Sequence, residues 1–439
     1  MKAFKLLLLT ATLFVFTALL SSCAADSDAL YYLNFKPEVA DVYNRIAMDY
    51  EKETGKRLRV VTAASGTYEQ TLKSEIEKKD APTIFQINGP KGYAAWKDYC
   101  LDLSDTELYS RLTEDSIAVT DGDGVYGIPY VVEGYGIIYN KALTDAYFAL
   151  PNRQKSVNSM EEIKSFEALK TVVEDMTAHA SALGIRGVFA STSLKSGEDW
   201  RWQTHLANIP IYYEFTENNV DLSTNATDTV TFQYAENFKK IFDLYINNSC
   251  TDKKLLGSKQ VADSMAEFAL GQCVMVQNGN WAWSQISEVS GNKVKAEDIR
   301  MMPIYMDLPN EESVGLCIGT ENYFAINKQA SEEKQKDALE FLNWLFNSET
   351  GKNYVTNELE FIAPFNTFGE DETPEDPLAR EVTESMRDTS ATAIPWCFTV
   401  FPSQNFKSDF GAALLQYAQG TKSWDDVVSI FVRRWEEES

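Results

Sequence analysis

Histidine is nearly missing from this chain: His179 and His205 are the only two in 439 residues. That excludes a His-rich metal centre and removes the usual base from most hydrolase designs. Cysteine is sparse as well. Apart from Cys23, the cysteines at 100, 250, 273, 317 and 397 are odd in number, widely spaced and without a C-x-x-C pair. They make a poor disulfide framework and a poor metal site, so buried thiols are expected, with one bridge left open. Basic charge is in deficit, with 40 Lys+Arg against 65 Asp+Glu, a formal charge of −25 and no local basic stripe. Such a chain repels phosphate backbones, which argues against nucleic acid as a ligand. Internal repeats and low-complexity linkers are absent too.

What is present is an ordinary globular composition, 44% hydrophobic and 24% charged, long enough for about two or three compact units. At the start, Lys2 and Lys5 precede an apolar run from Leu6 to Leu20, followed by Ser21-Ser22-Cys23. The run is shorter than the ~20 residues of a membrane span and suits the hydrophobic region of a signal peptide. Small residues before a cysteine are similar to the bacterial lipobox. Residues 1–22 are then a signal peptide, Cys23 carries the lipid, and 23–30 form a tether. Plain secretory cleavage near Ala24 or Ala25 is the simpler alternative.

Beyond the tether, Pro37–Thr54 reads as an amphipathic helix with Val39, Val42, Ile46 and Tyr50 on one face, ending at Gly55. Leu58–Thr62 and Thr83–Ile87 read as strands flanking a helical stretch over Tyr68–Lys79. Strand, helix, strand at this spacing predicts a parallel α/β sheet. Further helices are expected over Glu161–Leu183, Thr231–Asn248 and Ser331–Phe346, with short strands at Val188–Ala190, Cys273–Gln277 and Tyr323–Ile326. The acidic stretch Glu370–Pro377 reads as a surface loop.

Two motifs fail on context. Gly122–Gly127 satisfies G-x-G-x-x-G, but the extended segment Ile128–Val132 follows where a nucleotide fingerprint needs a helix. Asp121-Gly122-Asp123-Gly124 is no EF-hand, since Tyr126 and Val132 stand where glycine and an acid belong; a tight hairpin fits better. The aromatics offer more. Trp281 and Trp283 sit at a strand-to-helix corner and, two residues apart, point different ways, Trp281 being the better candidate for a cleft. Trp200 and Trp202 form a similar pair beside Glu198 and Asp199, and Trp396 follows Ile394-Pro395. Glu133 lies inside the otherwise apolar strand expected over Pro129–Gly136, where a carboxylate needs partners, either backbone amides or ligand hydroxyls.

Distributed along the chain, these segments resemble the extracellular solute-binding proteins of carbohydrate ABC importers, the maltose-binding-protein-like family. Tyr50–Gly55 is similar to the end of that family's first helix, and Ala81–Phe85 to its second strand. Pro129–Lys141 and Gly315–Ala330 are similar to its two crossovers, with Phe341–Gly351 the helix after the second. Phe268–Ser284 is the nearest match, and Gly420–Val428 corresponds to the last helix. The resemblance implies an α/β, two-lobed, periplasmic-binding-protein-like fold of type II. It places 31–134 with 318–363 in one lobe, and 135–317 with 364–439 in the other, joined by a hinge. It offers Asn34, the loop at Ser65, Asn88, Glu133 and Glu321 as contacts from the first lobe and hinge. Glu198, Asp199, Trp200, Asn280, Trp281 and Trp396 are the corresponding contacts of the second lobe. Asn88 and Asn280 depart from the family's pattern, which otherwise has an acid-base pair and a proline there, so ligand identity does not carry over.

The reading is therefore a lipid-anchored receptor, not an enzyme. It captures a sugar or oligosaccharide by cleft closure and passes it to the membrane subunits of an ABC permease. It is expected to be a monomer without cofactor or metal, on the outer face of a bacterium with a single membrane (Gram-positive). Acids beside aromatics also suit a cationic amine, the chief rival. A secreted glycosidase using Glu133 and Glu198 is a further alternative.

Overall fold

The computed structural model describes residues 29–438 except Ser65, Thr192, 223–228 and Glu370. The signal segment, Cys23 and most of the tether lie outside the described residues. The strands, in chain order, are β1 (Leu30–Asn34), β2 (Leu58–Thr62), β3 (Ile84–Ile87), β4 (Val119–Asp121), β5 (Gly124–Pro129) and β6 (Glu133–Asn140). They continue with β7 (Met275–Gly279), β8 (Ile299–Met302), β9 (Val314–Gly319), β10 (Tyr323–Ile326) and β11 (Thr392–Pro395).

They form two sheets. The first has six strands in the order β2-β1-β3-β10-β5-β4; the second has five, in the order β11-β9-β6-β7 with β8 paired to β6. Only part of the first sheet is parallel: β1 runs parallel to β2 and β3, while β10 is antiparallel to β3 and β5. The second is mostly antiparallel, because β6 pairs with β7, β8 and β9 in that sense. The expected parallel sheet thus holds only for the segment that suggested it.

Each sheet has a core on both faces, and the central strands β3 and β10 are accordingly buried throughout their length. In β1, Leu30 and Tyr32 enter one core while Tyr31 and Leu33 enter the other. In β6, Tyr135, Ile137 and Tyr139 face one core and Ile138 the opposite one. The helix Glu332–Asn347 is capped by Ser331, whose hydroxyl accepts from the Lys334 amide at 3.3 Å, a contact worth ~1 kcal/mol. It buries Phe341, Leu342, Leu345 and Phe346 in the first lobe, each contributing ~1.5–3 kcal/mol relative to exposure. The last two helices, Gln404–Ala418 and Trp424–Glu438, close the second lobe through Phe406, Phe410, Phe431 and Trp435.

Three crossovers connect the lobes: Pro129–Glu133, Gly319–Tyr323, and the segment around Phe361, where Ile362 bridges Val132. Several sequence boundaries shift. Pro129–Gly136 is not one strand; β5 ends at Pro129 and β6 starts at Glu133. Ile318 and Gly319 pair with Gly134 and Glu133 in the second sheet. Phe365 and Phe368 pack on the core of the first sheet. Glu161–Leu183 breaks into Phe166–Ala178 and Ala180–Leu183, with the turn at His179. Val188–Ala190 contributes bridges at Phe189 instead of a strand. The hairpin at Gly122-Asp123 joins β4 to β5, as the turn residues predict.

Candidate functional site

The hinge is tied by a buried polar network. Glu133, at the first crossover, accepts from Lys36 Nζ at 2.7 Å and from Asn322 Nδ2, on the second crossover, at 2.9 Å. Each carboxylate oxygen is therefore engaged by one side-chain donor, and neither by a backbone amide. Burial pulls the Lys36 ammonium down, but Glu133 and then Glu38 outweigh it and hold its pKa above the ordinary value. Burial also pushes Glu133 up, with Lys36 drawing it back. Tyr130 donates to Asn322 Oδ1 at 3.4 Å and accepts from Gln86, whose carbonyl oxygen takes the Phe35 amide. Phe361, on the third crossover, lies 5.7 Å from the Tyr130 ring and 5.9 Å from Lys36 Nζ. One network thus touches all three crossovers.

Glu321 stands beside it with its carboxyl pushed up to about 7, first by burial, against the opposing pull of Lys407. Lys407 comes from the helix Gln404–Ala418 of the second lobe and is held down by burial while Glu321 and Glu69 raise it. Glu69, on the first lobe, takes a hydrogen bond from Trp96 Nε1 at 3.0 Å. Charges of both lobes therefore meet at the mouth of the hinge. The lobes also touch directly: a methyl on Gly66 would sit 3.1 Å from the Gly197 carbonyl, and one on Gly89 2.9 Å from Thr399 Cβ.

In the second lobe the aromatics converge. Trp281 lies 5.9 Å from Trp200, 5.7 Å from His205 and 6.3 Å from Trp396, and His205 is 4.7 Å from Phe398. The strand β7 delivers Trp281, and Gly279 is required beneath it, since a Cβ there would lie 2.2 Å from the indole. A π-helical turn over Arg201–Leu206 presents His205. Burial takes His205 down to about 3, so the ring is a neutral imidazole. Within this cluster Trp281 Nε1, Trp396 Nε1 and His205 Nε2 are buried without a hydrogen-bond partner.

The structure brings some of the sequence candidates together and leaves others apart. Trp200, Trp281 and Trp396 come together in the cluster; Trp283 packs on the opposite core, as the two-residue spacing predicts. Glu133 and Glu321 meet at the hinge. Asp199 lies next to Trp200, pushed up to about 6 by burial, and accepts from Gly197 N at 3.2 Å and Gln203 Nε2 at 2.9 Å. Glu198 accepts from the Val261 amide at 3.2 Å. Asn34 and Asn280 serve the scaffold. Asn34 donates to Lys36 O at 2.8 Å and Thr62 Oγ1 at 3.1 Å, and Asn280 exchanges two 3.0 Å bonds with Gly134. Asn88 precedes the helix Gly89–Trp96 and is half-buried, with no side-chain cap bond. Ser65 is outside the described residues. Sequence reasoning missed Lys36, Lys407, His205 and Arg201. Only Lys36, two residues after a flagged strand end, carried a local signal.

All five cysteines among the described residues are free and buried. No group of three metal-ligating side chains occurs among the described residues, and no described helix is long and apolar enough to cross a membrane.

Compared with known proteins, residues 45–379 match a family described as bacterial extracellular solute-binding protein. None of the curated protein sequences matches. Among solved structures, apo RafE from Streptococcus pneumoniae is 19% identical, with 93% of this chain and 97% of that one covered at a TM-score of 0.66. A Bacillus licheniformis sugar transporter in complex with stachyose is 16% identical over 93% and 99%, TM-score 0.68. Maltose-bound T. maritima MalE3 is 14% identical over the same shares, TM-score 0.67.

Proposed function

Because the chain belongs to the bacterial extracellular solute-binding proteins, we propose that it is a lipid-anchored receptor capturing a neutral sugar or oligosaccharide for an ABC importer. Its fold is the two-lobed, type II periplasmic-binding-like one. The observation that carries the reading is the aromatic cluster with unpartnered ring nitrogens. Indole faces cover the C–H faces of a pyranose, and the free Trp281 and Trp396 N–H groups are donors for its hydroxyl oxygens. Sugars bound by the structural relatives, stachyose and maltose, are of this class.

Cleft closure is the mechanism we propose. A ligand touching both lobes favours the state in which they meet, by its differential affinity for that state. The three-crossover hinge and the contacts at Gly66 and Gly89 support it. Anchoring through Cys23, a monomeric body and delivery to a permease complete the proposal. A cationic ligand is disfavoured because Lys36 already pairs with Glu133 at 2.7 Å and Lys407 acts on Glu321 through space. Catalysis by Glu133 is disfavoured because both its oxygens are engaged by protein donors.

The test is thermal stability against neutral saccharides, uronates and polyamines at low and high salt. A ligand at 100 times its Kd adds about 2.7 kcal/mol. A salt-independent rise with a neutral sugar, abolished by Trp281→Ala, supports the proposal; stabilisation by polyamines alone, or consumption of an oligosaccharide, overturns it.

A further inference from the structure

Inside the second lobe lies a small cavity of about 10 Å³ lined by Arg201, Trp202, Ser193, Gln277 and Tyr245, with Ser191 and Ser264, which bond to each other, and apolar neighbours. That is room for one water or one monatomic ion. Each of these lining residues is at least nine-tenths buried, with Arg201 2% exposed. The face of the Arg201 guanidinium stacks on Trp200, 4.0 Å from the ring centroid, and Nε donates to Asn278 Oδ1 at 3.1 Å. Both terminal nitrogens, Nη1 and Nη2, are left buried with no partner. Trp202 Nε1, Ser193 Oγ and Tyr245 OH are likewise buried and unpartnered.

We propose that this cavity is a binding site for a monatomic anion of the chloride class, held by Arg201 with Ser193 and Trp202 as further donors. A guanidinium keeps its proton, so a buried one needs a counter-charge. Glu198 acts on it only through space, its carboxylate accepting from the Val261 amide. Burial takes Arg201 down to about 9, the direction an uncompensated cation shows. A single water could donate to Gln277 Oε1 or to the Ser193 and Tyr245 hydroxyls, but it cancels no charge and leaves the guanidinium without a counter-ion. An anion accepts from every donor and neutralises the guanidinium. Gln277 Oε1 faces the same cavity, so the ion sits on the Arg201 side. Because Arg201 stacks on Trp200, occupancy also steadies one wall of the aromatic cluster.

Two measurements on the sugar-free protein test this, independently of whether the cleft binds sugar. Crystals grown in bromide should show an anomalous peak within hydrogen-bond reach of Arg201 Nη1 or Nη2. Melting at matched ionic strength should give a Tm higher by about 2 °C or more in chloride than in gluconate. Ser193→Ala, which keeps the cation, should weaken the apparent chloride affinity severalfold, and Arg201→Met should remove the dependence. Water without an anomalous peak together with a flat Tm overturns the proposal, as does stabilisation by nitrate or formate but not by halides.

Discussion

Replacing Lys36 by methionine is the sharpest probe of the hinge. The Lys36–Glu133 pair is 2.7 Å long, and the two side chains are 7% and 5% exposed. Removing the cation leaves Glu133 with the Asn322 amide as its remaining polar partner, which neutralises nothing. Breaking one side of a buried ion pair costs about 3–5 kcal/mol, well above the ~0–1 kcal/mol of a surface pair. The pH dependence gives the reasoning a second handle. Burial already raises the Glu133 pKa, and loss of Lys36 raises it further. A carboxyl whose folded pKa lies above its unfolded value favours the folded state when protonated. The deficit is therefore largest in mild alkali and shrinks by about 1.4 kcal/mol per unit as pH falls through the raised pKa towards the ordinary carboxylate range. Urea unfolding at about pH 8 and about pH 5 measures both effects. The double variant Lys36→Met, Glu133→Gln should recover most of the loss, since a neutral buried amide needs no counter-charge. A loss under about 1 kcal/mol that is unchanged between the two pH values would refute the buried-pair account.

Glu321 and Asp376 are both raised to about 7 and Asp199 to about 6, chiefly by burial, so their contribution to stability should fall as pH rises from the ordinary carboxylate range, about 4, to about 7, and level off above it. Glu321→Gln should flatten that slope and gain about 1–3 kcal/mol at pH 8, read from unfolding curves. Gly411→Ala should destabilise by about 1–3 kcal/mol despite alanine's better helix propensity, because a Cβ there would lie 1.9 Å from Asp199 Oδ2. The same substitution should weaken ligand binding, since the displaced Asp199 precedes Trp200. The five buried cysteines should resist thiol reagents in the folded protein and all react after unfolding, as counted by mass spectrometry.

Much of the scaffold was legible because its signals are local. Period and punctuation alone locate the first helix, β2 and β10, and the Ser331 cap. The divergence of Trp281 and Trp283 follows from their two-residue spacing at a helix start. The strand break between Pro129 and Glu133 was not legible, since apolar residues continue through the crossover and nothing local says that the chain changes sheets there.

What the sequence by itself determined is the class: an acidic α/β chain with aromatic residues beside its strands, whose two lobes and solute-binding role follow from its resemblance to a family. Tertiary structure alone decided which charges meet. Lys36 reaches Glu133 across 97 residues, and Lys407 faces Glu321 and Glu69 from the opposite lobe. Arg201 is likewise an unremarkable charge in the sequence; burial against Trp200 and beside a small cavity makes it a buried cation. Apolar periodicity is written in neighbouring residues, because a helix or strand repeats within a few positions. Electrostatic pairing depends on distance and dielectric, and both exist only once remote segments have packed together.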